Sequence, residues 1–119
     1  MSNLDVSLTL KLIKDQFGAN AQAADRSGRT PLMYAAMAGD AEVIAALLSA
    51  KAAVNAQDSD GLTALMWAAL RVKPQAVKAL VDAGADVSLK SKRGLTAGEY
   101  SFHPDIVKLL PSKPKAPAK

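Results

Sequence analysis

The chain has 119 residues, a length suited to one domain, and half of them are hydrophobic although only five are aromatic. A core drawn from Ala, Leu and Val suits short packed helices better than a sandwich or a barrel, and strand-like alternation is absent. The formal charge is +4, no run approaches the roughly 18 apolar residues of a membrane helix, and the lack of cysteine excludes disulfides, thiol catalysis and thiolate metal sites.

Met1 to Leu4 carries no basic segment leading into an apolar run of the secretory kind. The cytoplasm is the expected location; export is the alternative if a leader has been removed, since a cysteine-free chain tolerates either compartment. Residues 4 to 17 read as a helix. Its apolar side, Leu4, Leu8, Leu12 and Phe17 among others, can cover the end of whatever follows, and Lys11, Lys14, Asp15 and Gln16 face water. Gly18-Ala19-Asn20-Ala21 closes it with a turn, so residues 1–24 read as an N-terminal capping unit.

Residues 25–57 form the first full unit. Asp25 and Gly28 bracket a turn, Asp by bonding its own backbone and Gly by its freedom at positive φ. Thr30 stands at a helix N-cap with Pro31 at the first helical position. Leu32, Ala35 and Ala36 face inward on a short first helix that Gly39 ends. Ala41 to Ser49 is a second helix, with Val43, Ile44, Leu47 and Leu48 on one face. Alanine at the contact allows two antiparallel helices to approach closely. Neither helix is long enough to persist alone, so each unit must bury its face on the next.

The same pattern returns 33 residues later as DSDGLTALMWAALRVKPQAVKALVDAGADVSL, Asp58 to Leu89, and makes 58–90 the second full unit. Val72 stands where the first unit has Gly39, and Lys51 stands where the second has Gly84, so Lys51 is expected in a left-handed turn. A third copy, 91–110, keeps Gly94, Leu95 and Thr96 and then shortens. Val107-Lys108-Leu109-Leu110 repeats Val77-Lys78-Ala79-Leu80 at an offset of 30, and Gly98 weakens its first helix. This copy reads as a C-terminal cap. Residues 111–119, PSKPKAPAK, have no apolar anchor and read as an extended tail. Without the tail's three lysines the charge is +1, so the basic pI belongs mainly to that segment.

Thr30-Pro31-Leu32-Met33-Tyr34-Ala35, Thr63-Ala64-Leu65-Met66-Trp67-Ala68 and the closing Gly84-Ala85-Asp86-Val87-Ser88 resemble the ankyrin repeat over roughly residues 4 to 110. The resemblance implies an all-α solenoid of stacked helix-turn-helix units joined by hairpin-like fingers. It also implies a non-catalytic, monomeric protein-binding module. The motif histidine that ties neighbouring units in relatives is Met33 and Met66 here, and Glu99 in the third copy. Apolar packing is therefore expected in place of that polar network.

Relatives bind partners with finger tips and the exposed side of the first helices. On this chain the resemblance points to Arg26, Arg29, Asp60, Leu62, Lys92, Arg93 and Leu95 on the fingers, and to Met37, Leu70 and Arg71 on the helices. Tip charges have a plainer reading as solvated turns. Tyr34, Trp67 and Tyr100 recur 33 residues apart and would form a ladder across the first helices. Tyr and Trp are common at binding hot spots, but rungs can equally be packing residues. The middle rung is expected to be half-packed, with one edge open to a partner.

Lys90, Lys92, Arg93 and the tail lysines suit a nucleic-acid or polyanion adaptor as the second reading. No helix-turn-helix or zinc-finger spacing accompanies them. Glu99 and His103 make an i, i+4 pair, too few ligands for a metal. Asp58-Ser59-Asp60-Gly61 starts like a calcium loop, but the required Glu is Ala69. No nucleophile–base set and no phosphate loop is present, so neither enzymatic activity nor a cofactor is expected.

Overall fold

A computed structural model of the chain describes residues 24–110. The expected capping helix at 4–17 and the tail at 111–119 lie outside the described residues. The described residues form helices and turns, with no strand. They are α1 (Pro31–Ala38), α2 (Ala41–Ser49), α3 (Ala64–Leu70), α4 (Pro74–Asp82), a 3-10 turn (Ala97–Glu99) and α5 (Pro104–Val107).

A threonine starts each first helix. Thr30 Oγ1 accepts from the Met33 N–H at 3.3 Å, and Thr63 Oγ1 from the Met66 N–H at 3.2 Å. In return the Thr30 N–H donates to Met33 Sδ at 3.5 Å, and the Thr63 N–H to Met66 Sδ at 3.4 Å. In the third copy the Thr96 N–H donates to Glu99 Oε1 at 2.9 Å. The position therefore closes a capping box in all three copies. Met33 and Met66 lie in the apolar core as expected, and their sulfurs, though weak acceptors, also satisfy an N–H at each helix end that would otherwise be orphaned.

The helices pair as antiparallel hairpins, α1 with α2 and α3 with α4. First helices stack on first helices and second on second, giving two layers. Between them Ala35, Ala36, Ala68 and Ala69 are wholly buried, with Leu32, Leu65, Val43, Ile44, Val77 and Leu80 around them. Each of the larger side chains contributes about 1.5–3 kcal/mol of hydrophobic stabilisation.

Three turns follow from local chemistry. Gly39 ends α1 at φ 75°. Lys51 and Val72 occupy the same left-handed region at φ 72° and 55°, as their alignment with glycines implies. L-residues there are strained, a β-branched one most of all. In the third copy the place of the first helix is taken by a 3-10 turn, and the second helix has four residues. Ile106 still plugs the core, whereas Phe102 is 87% exposed. Glu99 and His103 do not share a helix: His103 instead caps α5, its Nδ1 accepting from the Asp105 N–H at 3.2 Å.

Candidate interaction surface

The fingers are built by Asp25, Asp58 and Ser91. Asp25 Oδ1 accepts from the N–H groups of Ser27 and Arg29 at 2.9 and 3.0 Å, and Asp58 Oδ1 from those of Asp60 and Leu62, both at 2.9 Å. Ser91 Oγ accepts from the Arg93 N–H at 3.2 Å. Adjacent tips are then tied by main chain: the Ser59 N–H donates to Ser27 O at 2.9 Å, and the Lys92 N–H to Asp60 O at 3.0 Å. Side chains add cross-links, with Gln57 Nε2 donating to Lys90 O at 3.0 Å and Asn55 Oδ1 accepting from the Asp86 N–H at 2.8 Å. This closeness requires glycine at the bends. A Cβ on Gly61 would stand 2.7 Å from the Lys92 nitrogen, and one on Gly28 3.0 Å from the Ser59 nitrogen.

The aromatic ladder forms, and its polar atoms turn toward the fingers. Each rung bonds the residue nine positions before it. The Tyr34 hydroxyl donates to the Asp25 carboxylate, Trp67 Nε1 donates to Asp58 Oδ2 at 3.0 Å, and the Tyr100 hydroxyl lies 2.6 Å from Ser91 Oγ. The Tyr34 hydroxyl, helped by the Arg29 and Ser27 N–H groups, holds Asp25 below its ordinary carboxylate value. Asp25, and then burial, push the Tyr34 phenol up. The repeated spacing Asp25–Tyr34, Asp58–Trp67 and Ser91–Tyr100 is visible in the sequence. What it lacked was the link from a turn residue to a rung.

Trp67 differs from the half-open expectation. It is only 9% exposed, with the Arg29 guanidinium 5.0 Å and that of Arg71 5.9 Å from its ring centroid. Arg29 Nε approaches the buried Asp58 carboxylate at 4.0 Å, and that atom has no hydrogen-bond partner among the described residues. The guanidinium is drawn to the ring face and to the nearby carboxylate, and also bonds the Tyr34 hydroxyl. Trp67 is thus a packing residue of the free chain, fixed from both the preceding and its own repeat. Leu62, expected on the surface, is also buried at 8% exposure. Tyr34, Met37, Leu95 and Tyr100 are half-buried, and Arg26, Asp60, Arg71, Lys92 and Arg93 are exposed.

Six of the sequence-derived residues converge. Asp60, Leu62, Leu70, Lys92, Arg93 and Tyr100 line a groove of about 290 Å³ between the second and third fingers and the end of α3. Leu62 forms part of its floor despite its burial, and Leu70, 41% exposed, is its most open apolar group. Arg26, Arg29, Tyr34, Met37, Trp67, Arg71 and Leu95 lie outside that lining. Among the described residues no cluster of His, Cys, Asp and Glu could hold a metal ion, and no helix is long and apolar enough to cross a membrane.

The sequence matches the family model described as ankyrin repeats, three copies, over residues 2–91. No curated protein matches it. The match reaches back across the N-terminal segment and stops where the third finger begins.

Proposed function

Because this chain belongs to the ankyrin-repeat family, whose repeats are generally protein–protein interaction modules, we propose that it is a non-catalytic, monomeric cytoplasmic binding module. It presents its finger tips and first-helix faces to one protein partner. In this reading residues 1–24 cap one end, 25–57 and 58–90 are the full repeats, 91–110 caps the other end and 111–119 is a linker. The observation that carries the proposal is the groove where fingertip and first-helix residues meet, with Leu70 at its open edge. Main-chain bonds between tips hold its walls in place before any partner arrives. A preorganised surface loses little conformational entropy on binding.

A photo-crosslinking residue at Leu70 tests this in the source cell. A discrete protein adduct is expected from Leu70 and none from the same probe at Lys78, which lies in the second-helix layer. Adducts from Lys78 alone would sink the proposal.

A further inference from the structure

We infer that the partner segment is an extended acidic peptide, with one apolar side chain seated on Leu62, Leu70 and Tyr100 and flanking carboxylates facing Lys92 and Arg93. The inference rests on the proposed interaction surface and adds the chemistry of its occupant.

Among the exposed side chains of the finger tips and the end of α3, cations outnumber carboxylates, although Asp25 and Asp58 keep their own charges. Asp25 is bonded by Tyr34 and two backbone N–H groups, and Asp58 is buried under Trp67 and beside Arg29. Among the described residues Asp60 is the exposed carboxylate of the finger tips, with Asp86 exposed further back in the segment between α4 and the third finger. Opposite it stand Arg26, Arg71, Lys92 and Arg93, all exposed and none in an ion pair among the described residues. The second-helix layer and the terminal cap are balanced instead, by Lys78–Asp82 at 3.0 Å and Lys108–Asp105 at 3.8 Å. A cationic rim around an apolar floor steers and orients an acidic chain, while the floor supplies the desolvated contact.

The same surface is poorly made for a nucleic acid. Base stacking needs an open aromatic face, but Tyr100, the aromatic of the groove, is half-buried with its hydroxyl against Ser91, and Trp67 outside the groove is almost fully covered. Asp60 also sits within the groove, where it would repel a continuous run of phosphates yet be avoided by a peptide with discrete carboxylates.

The test is a random-peptide display selection on the full chain, followed by fluorescence anisotropy with the enriched peptides. Enriched sequences should carry two or more Asp or Glu around a Leu, Ile or Phe. The double variant Lys92→Glu/Arg93→Glu should weaken them about tenfold or more, with an unchanged urea unfolding midpoint. Asp60→Asn should tighten them, an effect in the opposite direction that no folding defect imitates. Lys78→Gln should leave them unchanged. Neutral or basic peptides competing at Leu70 would overturn the acidic-partner inference and leave the interaction surface standing. Binding of an oligo-dT strand as tight as that of the peptides, insensitive to Leu70→Ala, would overturn the inference too. A selection that returns only binders unaffected by Leu70→Ala and by the finger variants would overturn both.

Discussion

Lys51 and Gly84 occupy the same place in successive repeats, one position after the C-cap of a second helix, at φ 72° and 89°. The pair gives a substitution and its mirror. Lys51→Gly removes a left-handed L-residue, which costs about 1–2 kcal/mol. It adds glycine's greater freedom in the unfolded chain, about 0.5–1 kcal/mol in the other direction. Lys51 is exposed and makes no ion pair among the described residues, so its side chain adds little to the sum. The expected net gain is about 0.5–1 kcal/mol, or roughly 2–8 °C in Tm for a domain of this size. Gly84→Ala should lose a similar amount, and it does so by strain alone, because a Cβ there would meet nothing within 4 Å. Urea unfolding followed by circular dichroism reads both, as a shift in midpoint at constant slope. A loss for Gly84→Ala without a gain for Lys51→Gly would refute the claim that Lys51 is strained.

At Trp67, replacement by Phe should cost about 1–3 kcal/mol, since it strips a donor from the buried Asp58. Replacement by Ala should cost about 3–5 kcal/mol through the cavity it leaves, and iodide should quench Trp67 fluorescence weakly in the free protein. Gly61→Ala should destabilise more than Gly84→Ala by the same urea measurement, because it combines a positive φ of 79° with a main-chain clash at Lys92. The Asp25–Tyr34 bond gives a pH signature. Asp25 is held below its ordinary 3.8 and Tyr34 above its ordinary 10.0, so their contribution is present between those values. It is lost as pH falls through the lowered carboxylate value or rises through the raised phenol value. Tyr34→Phe should therefore lower the unfolding midpoint near neutral pH, with the gap to the parent chain closing at both extremes. A gap of constant size across the whole range would exclude the bond as its source.

The sequence alone determined the repeat period, both ends of Ala41–Ser49, the threonine caps and the left-handed turn at Lys51. These depend on residues within one or two turns of each other, where capping oxygens, proline and a Cβ act locally. The six residues that line the groove were among thirteen candidates on the fingers and first helices, but nothing in the period singled those six out, since only Asp60 and Arg93 among them hold equivalent positions. Only the tertiary structure decided what each of them exposes. Trp67 is covered because Arg29 arrives from the preceding repeat and Arg71 from the end of its own helix, and because its N–H has a buried carboxylate to meet. Leu62 sinks below the surface for the same kind of reason, as the fingers close on each other through backbone bonds that carry no sequence signature. The sulfur acceptors of Met33 and Met66 were equally invisible, because whether a packed methionine also accepts depends on which way its flexible chain folds over the helix end. Periodicity settles which residues are neighbours; burial and hydrogen-bond demand, set by the stacked neighbours together, settle which of them are left to meet a partner.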